Sequence, residues 1–216
     1  MSDETLTLTP ELLLQAYAAG IFPMGSEDSD RELYWVDPNE RGIIPLDSLH
    51  VSRSLRRTIR RGGFEVRVDH DFRAMMRDCA AREETWINDT ILDLYHALHK
   101  RGAAHSVEIW RGPDRIGGLY GVSIGAAFFG ESMVSHEPDA SKIALVWLVA
   151  RLRAGGFRLL DTQFTTPHLE SMGCIGIPRR RYHAMLRTAL DHRGDFGVLD
   201  GAADAETVLG LVQASG

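Results

Sequence analysis

Apolar residues recur with period two from Val107 to Ile109, from Ile116 through Val122, and from Ala126 to Met133. Turn-forming residues separate these runs at Gly112-Pro113-Asp114 and at Ser123-Ile124-Gly125, so the pattern predicts three strands joined by two hairpins. The period then changes. Ile143, Ala144, Trp147, Leu148 and Leu152 share one helical side, which predicts a helix over 140–154, capped by Asp139 and ended by Gly155-Gly156. A further strand is expected from Phe157 to Gln163. A meander followed by a crossover helix and another strand makes a mixed α/β layer, with polar groups at strand ends.

Upstream, Thr9-Pro10-Glu11 starts a short helix that Gly20 stops. Tyr34-Trp35-Val36-Asp37-Pro38 and Ile43-Ile44-Pro45 read as extended segments broken by prolines, suited to edge strands or loops over a cleft. Ser52 caps a helix that runs to Arg61 before Gly62-Gly63. It carries Leu55 and Ile59 on one side and Arg53, Arg56, Arg57, Arg60 and Arg61 around the rest. A strand is expected from Phe64 to Asp69. Asp71 then opens a helix with Phe72, Met75, Met76 and Cys79 inward, and a helix over 88–100 turns Ile91, Tyr95 and Leu98 inward.

The chain has 216 residues, of which 44% are hydrophobic, enough for one large domain or one domain with a small appendage. No stretch is apolar for long enough to cross a bilayer, and Met1 to Thr9 has neither a basic nor an apolar signal region, so a cytoplasmic protein without a membrane partner is expected. Cys79 and Cys174 lie far apart with no metal-ligand spacing, and His96 with His99 lacks companion ligands, so free thiols and no metal are expected. A net charge of −6 opposes broad binding to a polyanion. The cations are clustered, however, between Arg53 and Arg61 and again at Arg179-Arg180-Arg181. Such runs are either solvated helix faces or local contacts to phosphates.

Three polar residues stand out within apolar surroundings. Glu131 follows two aromatics and a glycine, while Asp161 and Gln163 are two apart on a strand and are expected on one face. Groups of this kind must be hydrogen-bonded or functional, and capping of loops and participation in a site are both open readings.

Many short motifs run in order along the chain: Ala18-Ala19-Gly20-Ile21-Phe22-Pro23, Tyr34-Trp35-Val36-Asp37-Pro38, Leu49-His50-Val51-Ser52-Arg53-Ser54-Leu55, Thr85-Trp86-Ile87, and Ala104-His105-Ser106-Val107-Glu108. They continue through Gly117-Gly118-Leu119-Tyr120-Gly121-Val122, Phe129-Gly130-Glu131-Ser132-Met133, Ala140-Ser141-Lys142, Leu160-Asp161-Thr162-Gln163 and Ile177-Pro178-Arg179-Arg180. From about Leu12 to Tyr182 this series resembles the leucyl/phenylalanyl-tRNA–protein transferase family.

The resemblance implies a mixed, largely antiparallel α/β sheet with flanking helices and a Gcn5-related N-acyltransferase-like core. It divides the chain into a small N-terminal subdomain over 1–62 and an acyltransferase-like domain over 63–216. It also implies transfer of leucine or phenylalanine, with methionine as a further donor, from aminoacyl-tRNA to the N-terminal Arg or Lys of proteins, marking them for degradation. A monomer without cofactors is expected. By the same resemblance Asp161 and Gln163 form a proton relay for aminolysis, proton transfer through the ribose hydroxyl fitting the sequence equally well, and Glu131 sits against the acceptor amine or the terminal adenosine. Leu119, Phe128 and Leu160 would line an apolar side-chain pocket, Trp86 and Tyr95 would hold the adenosine and ribose, and Ser132 and Met24 complete the substrate set. Arg53, Arg56, Arg57 and Arg60 become candidates for the acceptor-stem backbone.

This chain departs from the family pattern in three places. Met24 stands where tryptophan is commonest, no Gly-Gly-Asp-Leu signature precedes Thr9, and residues 195–216 hold little of the usual tail. Two other readings remain: an acyl-CoA-dependent N-acyltransferase, or relative with altered donor and acceptor, and a non-catalytic tRNA- or peptide-binding module. The turn His136-Glu137-Pro138-Asp139-Ala140-Ser141 is acidic and without glycine, which speaks against a CoA pyrophosphate cradle.

Overall fold

The computed structural model describes residues 8–26, 29–81, 87–201 and 203–213. Helix α1 (Pro10–Ala18) begins where the Thr9 hydroxyl accepts the Leu12 N–H, and the chain turns out of it at Gly20, φ +86°. Strands β1 (Phe22–Ser26) and β2 (Ser29–Val36) form a separate two-stranded antiparallel ribbon. Then come β3 (Glu40–Ile43), α2 (Arg53–Arg61) capped by Ser52, β4 (Glu65–Val68), α3 (Phe72–Ala80) capped by Asp71, and α4 (Asp89–Lys100) capped by Asn88.

The meander follows as β5 (Ala104–Arg111), β6 (Asp114–Ile124) and β7 (Ala127–Ser135), and the crossover helix as α5 (Ala140–Ala154). After it lie β8 (Leu159–Gln163), α6 (Pro167–Glu170), β9 (Ile175–Pro178), α7 (Arg179–Leu190) and α8 (Ala205–Val212). Seven strands make one sheet in the order β4-β5-β6-β7-β8-β3-β9. Neighbours in it are antiparallel except β7 and β8, which the α5 crossover makes parallel.

Both faces of the sheet are covered. On one, Leu55 and Ile59 of α2 and Val208, Leu209 and Val212 of α8 pack with the buried residues of α5. On the other, Leu13 and Tyr17 of α1 join Met75 and Met76 of α3, Ile91 and Tyr95 of α4, and Tyr182 and Leu186 of α7. Because α2 and α8 cover its outer side, α5 is buried almost all round, which accounts for its apolar run from Ile143 to Ala150. Among the described residues no helix is long and apolar enough to cross a membrane.

Several expectations are corrected by packing. Asp139 does not cap α5: its backbone is left-handed, φ +67°, its side chain makes no capping bond, and the Ser135 hydroxyl accepts the Ser141 N–H instead, at 3.2 Å. Strand β8 starts at Leu159, not Phe157. The Ile43-Ile44-Pro45 segment is no edge; β3 lies inside the sheet between β8 and β9, and Pro45 costs no ladder bond because it falls beyond the last paired residue. Ahead of residue 62, Ile44, Leu49, Val51, Leu55 and Ile59 are part of the same core as α5.

Candidate active site

Strands β7 and β8 pair over three positions only, Ala127 with Leu159, Phe128 with Leu160, and Phe129 with Asp161. Both chains then leave the ladder. In β7 the register against β6 shifts, so that Gly130 faces Gly121 and Ser132 faces Tyr120, which leaves Glu131 as the extra residue of a β-bulge. In β8 the backbone of Gln163 enters the left-handed region, φ +58°, and Phe164 N–H closes a tight turn onto the Thr162 carbonyl at 2.6 Å. The strands splay, and a cavity of about 350 Å³ opens between them. Its walls are Leu119, Met133, Leu145, Leu148, Leu160 and Leu169, and Glu131 and Gln163 are among its polar lining residues.

Glu131 is held from behind by α1 and α4. Tyr95 Oη donates to Oε2 at 3.2 Å, and the Tyr95 and Tyr17 hydroxyls are themselves in a short hydrogen bond. From β8, Gln163 Nε2 donates to Oε1 at 3.1 Å. Burial pushes the Glu131 carboxyl up to about 7, helped by the negative charge of Asp161 and opposed by hydrogen bonds from Tyr17 and Tyr95 and by the charge of Arg41. Such a group exchanges protons near neutrality.

Asp161 has a different setting. It is fully buried, and Arg41 grips it as a fork, Nε to Oδ1 at 2.9 Å and Nη2 to Oδ2 at 2.6 Å. Tyr182 Oη donates to Oδ2 at 2.7 Å, and the backbone N–H of Gln163 donates to Oδ1 at 2.8 Å. Burial pulls Arg41 down, but the hydrogen bonds and charge of Asp161 outweigh it and hold the guanidinium above its ordinary value. The Tyr182 phenol is raised by burial and by Asp161. The same-face expectation for Asp161 and Gln163 is therefore corrected: the left-handed residue breaks the alternation, so Gln163 lines the cavity and Asp161 turns toward Arg41 and Tyr182. Asp161 touches Gln163 through the backbone N–H, not through the side-chain amide.

Leu119, Leu160 and Ser132 are among the residues that line the cavity. Phe128 is not; its ring is buried and stacks on Phe196 at 5.5 Å. Tyr95 is fully buried behind Glu131, where its hydroxyl positions the carboxylate and its ring offers no face to a base. Met24 sits on β1 opposite Tyr34, whose hydroxyl lies 3.8 Å from its sulfur, away from the cavity lining. Trp86 lies outside the described residues. On α2, Arg53 and Arg57 are exposed, Arg56 donates to the Val51 carbonyl at 3.2 Å, and Arg60 pairs with Glu206 at 2.7 Å. Among the described residues no cluster of three or more His, Cys, Asp or Glu could hold a metal ion.

Sequence reasoning missed Arg41, Tyr17 and Tyr182 at the centre, and Thr162, Phe164 and His168 on the cavity wall. Tyr17 was within reach, because it lies four residues after Leu13 on the inward face of α1. Arg41 had no such signal: it sits in a charged and polar run that reads as solvent-facing.

The family described as leucyl/phenylalanyl-tRNA protein transferase matches residues 43–187, and the leucyl/phenylalanyl-tRNA protein transferase N-terminal domain matches residues 7–39. A leucyl/phenylalanyl-tRNA–protein transferase of Cereibacter sphaeroides is 58% identical over 189 residues, covering 88% of each chain. The protein of the same name from Maricaulis maris is 54% identical over 210 residues, 95% of this chain and 97% of that one. The one from Rhodospirillum rubrum is 54% identical over 197 residues, covering 89% and 92%. A solved structure titled "The structure of L-PGS from Bacillus licheniformis" aligns with a TM-score of 0.41 at 14% identity, covering 74% of this chain and 55% of that one. With sequence kinship extending from residue 7 to residue 187 in the two family matches, this chain belongs to the leucyl/phenylalanyl-tRNA–protein transferase family.

Proposed function

We propose that this chain is an aminoacyltransferase that moves leucine or phenylalanine, with methionine as a further donor, from the 3′ end of aminoacyl-tRNA to the N-terminal Arg or Lys of acceptor proteins, marking them for proteolysis. The observation that carries this reading is the cavity: an apolar chamber of about 350 Å³ with Glu131 and Gln163 in its wall, in a chain of this family. Its size is at the small end of ligand pockets, roughly 300–1,000 Å³, and its leucine-lined wall suits an apolar side chain whose ester carbonyl is held near the polar residues.

An aminoacyl ester is already activated, so the protein has to align the attacking amine with the carbonyl and move one proton. The acceptor α-amine forms the new C–N bond, the C–O bond to the ribose breaks, and the proton released by nitrogen ends on the ribose oxygen. Gln163 has its amide nitrogen engaged by Glu131, which leaves its side-chain oxygen to accept from the amine. Glu131, poised near neutrality, receives the proton and returns it to the leaving oxygen. Asp161 orients Gln163 through its backbone. The meander, the α5 crossover and the short parallel pair that splays at the site support reading the core as Gcn5-related. Exposed Arg53 and Arg57 support a phosphate-binding face, with Arg56 and Arg60 at its margin.

An acyl-CoA reading is not favoured: the first turn of α5 has its Ser141 N–H occupied by Ser135, and Glu137 precedes it. The protein is expected to act as a monomer. The deciding experiment incubates it with labelled leucyl-tRNA and three peptides that differ only in an initial Arg, Lys or Ala. Label appearing in the Arg and Lys peptides supports the reading; label in none removes it, and label in all three equally removes the acceptor preference. Parallel reactions with phenylalanyl-tRNA, methionyl-tRNA and acetyl-CoA rank the donors.

A further inference from the structure

Strand β3 contributes two adjacent residues, Arg41 and Gly42, to the back of the cavity strand, and neither has a part in the reaction described above. Arg41 is 1% exposed, and its guanidinium lies between the rings of Phe22 and Tyr182, 4.4 Å from each centroid. Nη1 donates to the Gly20 carbonyl at 2.9 Å, while Nε and Nη2 fork onto Asp161. The planar fork matches a carboxylate in a way a lysine ammonium cannot. Four donors thus converge on Asp161: Arg41 Nε, Arg41 Nη2, Tyr182 Oη and the Gln163 N–H.

The last of these donors matters most. Gln163 is held at φ +58°, a conformation that a residue with a side chain keeps only where its surroundings enforce it. Its own N–H is tied to Asp161, and the turn it makes is closed from Phe164 to Thr162. On the β3 side this turn comes so near that a Cβ at Gly42 would meet the Phe164 carbonyl carbon and oxygen at 2.5 Å and the Thr162 hydroxyl at 2.8 Å. Gly42 has no positive φ to explain it; close approach of the turn does.

We propose that Arg41 and Gly42 form a positioning device for the transfer: Arg41 fixes the Asp161 carboxylate so that it holds the left-handed turn at Gln163, Gly42 leaves that turn room, and the Gln163 amide is thereby aimed at Glu131. This rests on Gln163 and Glu131 being the groups that face the attacking amine. Asp161 is then an anchor whose oxygens are occupied by these donors. The device also ties the cavity to the N-terminal segment, because the same guanidinium binds the Gly20 carbonyl and packs on Phe22.

The test uses the full chain with Arg41→Lys, Gly42→Ala and, as a control, Arg67→Lys, which alters an ion pair with Glu65 on β4, away from the cavity. Leucyl transfer to an Arg-initiated peptide is resolved into kcat and KM for each substrate, and hydrogen exchange of the Gln163 amide is measured alongside the thermal midpoint. Arg41→Lys is expected to lower kcat about 100-fold, the scale of a misplaced reacting group, with KM for leucyl-tRNA within about threefold and Gln163 exchange faster by at least about tenfold. Gly42→Ala should follow in the same direction by about tenfold, and Arg67→Lys should stay within about threefold. A wild-type kcat in Arg41→Lys, a loss confined to KM, or an unchanged Gln163 exchange in Gly42→Ala overturns the proposal. Should Arg41→Lys fail to fold, Gly42→Ala decides alone. If the wild-type protein transfers no leucine, the functional reading falls, while Gln163 exchange in the variants still judges the clamp.

Discussion

Two carboxylates lie near one another across β7 and β8, and they have opposite characters. Asp161 is met by a guanidinium fork, a phenol and a backbone N–H, so its charge is compensated and its lone pairs are occupied. Glu131 is met by a phenol and a side-chain amide, with no cation hydrogen-bonded to it among the described residues, and burial raises it to about 7. Asp161 is fully buried, whereas Glu131 is half-buried and lines the cavity, so the two differ in access as well. Their partners differ too: a guanidinium fork fixes the Asp161 carboxylate in place, whereas the donors on Glu131 are neutral and burial raises it.

The two settings separate most visibly when the carboxylates are removed in turn. Asp161→Ala leaves the Arg41 charge buried without its partner, and such a loss costs about 3–5 kcal/mol. The thermal midpoint is expected to fall by about 10 °C, with transfer abolished; an unchanged midpoint would mean that the fork carries no structural weight.

Glu131→Gln should act in the reverse direction on stability. The folded-state value of Glu131 lies above the ordinary 4.5 of a glutamate, so the wild-type protein loses stability as pH rises from there through about 7, and a neutral glutamine does not. At pH 8 the variant is expected to gain up to about 3 kcal/mol relative to wild type, with no gain at pH 4. Its kcat should fall about 100-fold, and the acid limb of the wild-type pH–rate profile, centred near 7, should vanish. The groups facing Glu131 are Tyr17, Tyr95, Arg41 and Asp161; the two phenols and the guanidinium are held above their ordinary values, away from neutrality. Survival of the limb in Glu131→Gln would move the titrating group elsewhere.

A smaller effect is expected at the apolar wall. Leu148→Phe narrows the cavity and should raise KM for phenylalanyl-tRNA over leucyl-tRNA by about tenfold, the worth of one or two methylenes in a pocket. Equal change for both donors would place the donor side chain outside this chamber. The smallest effect is on the surface. Reversing Arg53 and Arg57 to glutamate should reduce the salt dependence of leucyl-tRNA binding by about one unit of slope for each phosphate that is no longer neutralised. Arg60→Glu, at a position already engaged with Glu206, should change it less.

Much of the fold was legible along the chain because its signals are local. Period-two runs with turn residues between them marked the meander, and the helix over 140–154 matches α5 at both ends. A start at Thr9-Pro10-Glu11, a cap at Ser52, an opening at Asp71 and the inward residues over 88–100 marked four more helices. Each of these needs only residues within a few positions of one another. Glu131, Gln163 and Asp161 were also visible as polar residues in apolar surroundings, and Leu119 and Leu160 as wall residues.

Order along the chain was thus enough to tell which segments are helix or strand, which polar residues stand in apolar runs, and to which family the motifs point. How the polar residues divide their labour came only from three-dimensional packing. A bulge at Glu131 and a left-handed residue at Gln163 redirect side chains that simple alternation would place otherwise, and both depend on strand register across β6, β7 and β8. The Arg41–Asp161 pair spans 120 residues, and Tyr17 reaches Tyr95 across 78. Pairings of that separation leave no periodicity in the chain, because a guanidinium in a polar run is the same whether it faces water or a carboxylate; burial between Phe22 and Tyr182 is what turns Arg41 from a surface cation into a clamp.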